Sequence, residues 1–414
     1  MRSDKEVKGH PERSEGSLSD ASRDPSVAQL PQDDNGFDVD SLRRTEFPWT
    51  STTTYLNNAS IGPLPERTRL VLETFNRKRA APFQLPDREL FATMAESRRL
   101  AAELIGASPE EIGLTINTGF GLSLAARALP LHAGDIVLTS DREFPANVYP
   151  WMLLKDSGVQ LELAPTTAEG WPDEPYLLDR LRDPRVRVLA ISLVQFSNGY
   201  TVDLAELSTA TRAHGTYLVV DAIQAVGQVP VDLKKTPVDV LACGAQKWLL
   251  SPWGSGFVYV RRELIRDLRP SVTGWMAFEG TDDFTRLTQY NDTLRGDARR
   301  FELITLPYQD FAGMNASLGL LLGAGIPSIA RHIRGLHAPV LEWAASRGVR
   351  VASPTGERGS GIVCVGPPDV GGAFRALKAA GVVCGMREGA IRFSPHLYNT
   401  IDEMHRVVDL LEEL

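Results

Sequence analysis

The chain has 414 residues, 43% hydrophobic and 23% charged, with a net charge of −8. That is long enough for one large domain plus a smaller one, and the acidic balance argues against general binding to nucleic acid or to an anionic membrane. Three cysteines, Cys243, Cys364 and Cys384, make no disulfide framework, and their sparse, odd count points to reduced thiols in a cytoplasmic protein.

Residues 1–45 are polar and rich in Ser, Asp and Pro. Such a segment buries too little apolar area to offset its ordering entropy, so it is expected to be a disordered tail. It lacks the apolar stretch of a secretory signal and holds too many acids for a transit peptide. No apolar run reaches the length of about 18 residues that a membrane-spanning helix needs. CxxC and HExxH spacings are missing, so no metal site is expected.

Ordered structure is expected from near Phe47, with 46–105 contributing to the smaller domain. Tyr55 to Pro63 reads as a short strand breaking into a turn that contains Asn58. Helical patterns follow at Glu66–Lys78 and Arg88–Ile105, the second closed by Gly106. A strand over Ile112–Ile116 then runs through Asn117-Thr118-Gly119-Phe120-Gly121 into a helix over Leu122–Ala128. Strand, glycine turn and helix N-terminus make an anion site, because free N–H groups and the helix dipole point at the ligand. The Thr118 hydroxyl adds a donor. Plain helix capping is one alternative. A dinucleotide fingerprint with Asp141 on the ribose is another, opposed by Leu124 at its third glycine position.

The strand Asp135–Ser140 leads to Phe144, which is either a staple on the following helix or an aromatic face for a planar cofactor. A strand over Val159–Ala164, a helix over Glu174–Arg182 and a strand over Val186–Val194 come next. The last ends in Gln195-Phe196-Ser197-Asn198-Gly199, where Asn-Gly alone is a turn signal. A helix over Asp203–His214 follows.

Three apolar runs then dominate. Tyr217–Val220 ends in Asp221, Val238–Cys243 ends in small residues and then Lys247, and Phe257–Val260 closes the set. Continuous apolar runs suit strands buried on both faces, and open α/β sheets place ligand-contacting groups at such strand ends. An Asp there is often a helix cap and a Lys often a solvated loop residue. Lys247, however, is flanked by Trp248, Leu249 and Leu250. Desolvation lowers a lysine's pKa, which suits a Schiff-base nucleophile. Lys234 and Lys235, between Pro230 and Pro237, are expected to be ordinary solvated cations.

Helical segments over Gln309–Leu322 and Ser328–Arg347 precede a tail of mixed strands and helices, a small α+β domain over 326–414. In it Arg392 is isolated in an apolar strand. It is either a sheet-edge arginine or a bidentate clamp for a carboxylate.

DAIQAVG from Asp221, followed by GAQKWLLSPWGSGFVYV from Gly244, resembles the class V aminotransferase family of pyridoxal-phosphate (PLP) enzymes. That family includes cysteine desulfurases, kynureninase and isopenicillin-N epimerase. The resemblance runs from about Tyr55 to the C-terminus. It implies an α/β protein of PLP fold type I, with a large domain over 106–325 built on a mostly parallel seven-stranded sheet, plus the smaller α+β domain. By resemblance, Thr118 and Gly119 cradle the cofactor phosphate and Phe144 stacks on its ring. Asn198 and Gln224 address its phenolic oxygen, and Asp221 keeps its pyridine nitrogen protonated. Lys247 forms the Schiff base and moves the α-proton. Gln246 is a further phosphate contact, while Gly244 stands where many relatives carry Ser. Arg392 takes the substrate α-carboxylate, and Asn58 lies in the segment bordering the substrate pocket. Trp275 occupies a segment that reaches the partner's site in relatives, where in kynureninases a Trp contacts the cofactor phosphate, or else is a packed or interface Trp; either way a homodimer with composite sites is implied.

Desulfurases carry a catalytic Cys on a loop before the last strand. Here that loop, Val383–Gly389, is short, and Cys384 falls in an apparent strand. Persulfide chemistry is therefore not expected. The resemblance implies turnover of an amino acid, by transamination as the leading expectation. A C–S or C–C lyase or an epimerase of the same family is the alternative, and a catalytically silent PLP-fold binding protein is the reading from another class.

Overall fold

The computed structural model describes residues 36–413. After a short strand β1 (Thr54–Tyr55), seven strands build the central sheet: β2 (Ile112–Leu114), β3 (Ile136–Ser140), β4 (Gln160–Ala164), β5 (Val186–Ser192), β6 (Tyr217–Asp221), β7 (Val240–Gly244) and β8 (Gly256–Val260). Their order is β2-β8-β7-β6-β5-β3-β4, and only β8 runs antiparallel to its neighbours. Side chains alternate across each strand, so Leu218 and Val220 enter one core while Val219 enters the other. Both faces are thus covered, which is why these strands read as continuous apolar runs.

The C-terminal region holds β9 (Arg350–Val351), β10 (Val363–Gly366), β11 (Val382–Val383), β12 (Gly385–Arg387) and β13 (Ala390–Phe393). Four of them form an antiparallel sheet, β12-β13-β10-β9, while β11 pairs in parallel with β1. Leu56 and the helices Ala338–Arg347, Val370–Ala379 and Ile401–Glu412 give this sheet its own core, through Val340, Leu377 and Met404. The β1 segment therefore joins the start of the chain to this C-terminal unit.

Several local expectations shift. Residues 36–45, assigned to the tail, include a helix, Val39–Thr45, capped by the Asp38 side chain on Ser41 N–H at 2.9 Å. Phe37 and Leu42 are fully buried, and Arg43 pairs with Glu403 at 2.9 Å. Two apolar residues suffice because they join the main core, with Phe37 edge-on to His332 at 5.4 Å, and composition is blind to such remote partners. The remainder of the expected tail, 1–35, lies outside the described residues. The helix after the glycine turn begins at Thr118 rather than Leu122, because the Asn117 side chain accepts from Phe120 N–H at 2.8 Å. Phe144 leads into a 3-10 turn, Pro145–Asn147, in place of a full helix. Among the described residues no single helix is long and apolar enough to cross a membrane.

Candidate active site

The sheet delivers its chemistry at the C-terminal ends of β5, β6 and β7. In register, Ser192 stands beside Asp221, and Asp221 beside Ala242. Asp221 is buried and accepts from Ile223 N–H at 3.0 Å. Burial raises its carboxyl to about 7, opposed by that N–H and by the charge of Lys247. Lys247 follows β7 by three residues and is half-buried. Its ammonium is pushed down to about 8, first by desolvation, with Asp221 opposing and Arg392 assisting. Lys247 Nζ lies 5.6 Å from the centroid of the Phe144 ring, which meets Phe196 edge-on at 5.3 Å.

The helix Thr118–Ala128 abuts the end of β7. Gly244 N–H donates to Thr118 Oγ1 at 2.8 Å. A β-carbon added at Gly244 would lie 2.6 Å from Gln246 Oε1 and 3.1 Å from Thr118 Oγ1. The missing side chain thus makes room for the Gln246 amide beside Thr118, next to Gly119 in the first helical turn. The Lys247 turn is tightly overlaid: a β-carbon on Gly62 would come within 2.1 Å of Lys247 O.

Arg392 projects from β13 and is almost completely buried. Its Nη1 donates to Phe196 O and its Nη2 to Ser60 Oγ, both at 2.7 Å. Nε has no hydrogen-bond partner. No carboxylate pairs with this guanidinium among the described residues. Desolvation and the charge of Arg387 lower it to about 10.

Other expected site residues have local duties. Asn198 is buried, donating to Gly170 O and accepting from Tyr200 N–H, both at 3.0 Å, which leaves one amide N–H uncommitted. Gln224 donates to Ala59 O at 3.0 Å and accepts from Trp248 Nε1 at 2.9 Å, tying the residue after Lys247 to the N-terminal turn. Asn58, expected at the pocket border, is instead fully buried, donating to Ser394 O at 3.0 Å and to Tyr398 Oη at 2.9 Å. Nearby Ser60 is the residue of that turn that reaches Arg392. Trp275 is half-exposed on a 3-10 turn against Phe284, and no hydrogen bond or ring contact joins it to the Lys247 cluster.

Sequence reasoning passed over Glu143. It is buried and accepts from Ser192 N–H at 2.9 Å, Gln195 Nε2 at 2.7 Å, Asn147 Nδ2 at 3.2 Å and the Ser192 hydroxyl. The only sequence signal was an acid directly before Phe144, and its donors are mostly remote in the chain.

The cysteines are buried and unpaired. Burial pushes Cys364 up to about 11 and Cys384 up to about 12, and raises Cys243 further. None is poised as a thiolate.

Comparison with known proteins matches residues 55–407 to the family model "Aminotransferase class-V". An uncharacterized aminotransferase of Bacillus subtilis is 30% identical over 313 residues, covering 76% of this chain and 81% of the relative. An isopenicillin N epimerase of Amycolatopsis lactamdurans is 27% identical, covering 90% and 97%, and a probable cysteine desulfurase of Pyrococcus abyssi is 26% identical, covering 90% and 96%. Among solved structures, the apo cysteine desulfurase of Thermococcus onnurineus NA1 superposes with a TM-score of 0.81 at 24% identity, covering 90% of this chain and 97% of that one. The cystine C-S lyase C-DES, in complex with cysteine persulfide, gives 0.80 at 22%, covering 89% and 100%. These structural likenesses carry the fold, which is that of PLP fold type I. The match along most of the chain settles the family: the protein belongs to the class V aminotransferases, enzymes that use pyridoxal 5'-phosphate.

Proposed function

We propose that the protein is an aminotransferase acting on α-amino acids. The observation that carries this reading is Arg392, a buried guanidinium with an unpartnered Nε and no acid beside it. Burying a charge without a counter-charge is costly, and a substrate carboxylate supplies one with the bidentate geometry a guanidinium favours.

The residues present fit pyridoxal phosphate. Lys247 is the amine to hold it and Asp221 the buried acid for its ring nitrogen. Thr118, Gly119 and Gln246 converge where a helix N-terminus favours a phosphate, and Phe144 offers a ring face beside Lys247. When bound, the cofactor supplies an electron sink for charge developing at the substrate α-carbon.

The chain's own groups do the rest. Arg392 fixes the carboxylate and so orients the α C–H bond. Lys247 Nζ, held near 8, is poised to accept the α-proton at neutral to mildly alkaline pH and pass it on. The ring beside Nζ is that of Phe144, which meets Phe196 edge-on. A single base that takes the α-proton and hands it on along the same side suits amino transfer, whereas inversion needs an acid on the opposite side. Buried, protonated cysteines argue against an internal persulfide.

The test is an absorbance titration of PLP-loaded protein with single amino acids, with product assays for 2-keto acid, released sulfur and inverted stereochemistry. Keto acid formed without free ammonia or released sulfur, and lost in Lys247→Ala, supports the reading. Inverted amino acid, or released sulfur with or without keto acid and ammonia, would replace transamination by the corresponding alternative.

A second copy of the chain completes this reading. Trp275, Phe284, Leu287, Tyr290 and Trp253 leave large apolar side chains exposed, which supports a homodimer. Light scattering on the purified protein distinguishes dimer from monomer.

A further inference from the structure

A second cation shares the sheet face that carries Arg392. β12 and β13 form an antiparallel hairpin through the exposed turn at Glu388 and Gly389. In its register Gly385 faces Arg392, and Arg387 faces Ala390. Residues two apart on a strand, and residues directly opposite, lie on the same side. Arg387 and Arg392 therefore project from one face, with Arg387 displaced along the hairpin by about two residues, or roughly 7 Å. This face is turned toward the loop after β5. Arg392 donates to Phe196 O, and Cys364, its partner on β10, donates from Sγ to Ser197 O at 3.2 Å.

The two arginines differ in depth. Arg392 is buried, while Arg387 is exposed at the rim, with Nη1 donating only to Met386 O at 2.8 Å. No ion pair to an acid exists for either among the described residues, although Glu388 is adjacent to Arg387. The residue directly opposite Arg392 on this face is Gly385, two positions along β12 from Arg387. A β-carbon there would lie 3.3 Å from Arg392 Nε and 3.1 Å from Asn57 Oδ1, so the glycine keeps the space beside the inner guanidinium open. The charge of Arg387 is felt inside, where it acts to lower both Arg392 and Lys247.

We infer that the site selects amino acids whose side chain ends in an anion, a carboxylate or a sulfinate, with Arg392 on the α-carboxylate and Arg387 on the distal group. This rests on the reading of Arg392 given under Proposed function. An exposed guanidinium is hydrated and costs nothing when unused, so neutral side chains are admitted without penalty. An anionic side chain gains a charge-assisted contact, and a cationic one meets repulsion. The expected order is anionic, then neutral, then cationic.

The experiment uses the PLP-loaded protein and isosteric probe pairs: L-aspartate against L-asparagine, L-glutamate against L-glutamine, with L-cysteine sulfinate and L-lysine added. Dissociation constants are read from the cofactor's absorbance change. The wild type is expected to favour the anionic member by about tenfold. That ratio should fall to near one in Arg387→Gln, shrink with added salt, and reverse in favour of L-lysine in Arg387→Glu. Equal affinities within each pair in the wild type overturn the proposal. So does a preference that Arg387→Gln leaves intact. If no amino acid of any kind binds, the reading of Arg392 falls and this proposal falls with it; loss of the anionic preference alone leaves that reading standing.

Discussion

Glu143 takes both the backbone N–H and the hydroxyl of Ser192, the residue that stands beside Asp221 on the neighbouring strand. A buried carboxylate thereby fixes the end of β5 and, through the adjoining Phe144, the ring nearest Lys247. Replacing Glu143 by Gln keeps the shape but turns an NH2 group toward remaining donors such as Asn147 Nδ2. The expected cost is about 1–3 kcal/mol of stability, read by urea denaturation. Unchanged stability would mean that these bonds do not hold the strand end.

Asp221 sets a pH dependence in the cofactor-free protein. Its carboxyl is raised from 3.8 to about 7, so the folded state holds this proton more tightly than the unfolded chain. Stability from this group is full below the unfolded value and is lost as pH rises through the window up to about 7. Buried Glu143 is shifted the same way, again by burial. Buried His337 and His396, lowered to about 4 by burial, act in the opposite direction over much of this range, so the contribution of Asp221 is read as a difference: relative to Asp221→Asn, the wild type should lose stability as pH rises from about 4 to about 7. Parallel curves for the two proteins would rule out Asp221 as a source of the slope.

Arg392→Gln removes the charge and the fork. Binding of α-amino acids should weaken by at least about 30-fold, the range for truncating one partner of a buried charge pair. Amines that lack the carboxylate should bind equally well to both proteins. A matched loss for amines would show that Arg392 shapes the pocket without holding the carboxylate.

The thiols give a negative control. With Cys364 held near 11 and Cys384 near 12 by burial, the folded protein should react slowly with a thiol-specific reagent at neutral pH and fully once denatured. Cys384→Ala should keep its turnover of amino acids. Rapid labelling of Cys384 with loss of turnover would reopen persulfide chemistry.

Much of this site was legible before the fold. The runs ending at Asp221 and before Lys247 are buried on both faces, and such strands write themselves into sequence as uninterrupted Val, Leu and Ala. The expected strands match the seven of the central sheet to within two residues at each end. What sequence could not reveal depends on partners far along the chain. Asn58 pairs with Ser394 and Tyr398, and Gln224 pairs with Ala59 and Trp248. Each amide looks available in a linear reading and is engaged in the folded one. Ser60, beside Arg392, carried no signal beyond its place in a turn. Phe37 and Leu42 sat in polar surroundings, and only residues remote in the chain make them part of the main core.

The central claim is that Lys247 is the amine that carries the cofactor. PLP-loaded protein is reduced with borohydride, digested and mapped by mass spectrometry. The account expects the pyridoxyl group on Lys247 alone, and none in Lys247→Ala. A label on Lys234 or Lys235, or equal labelling of the variant, would contradict it.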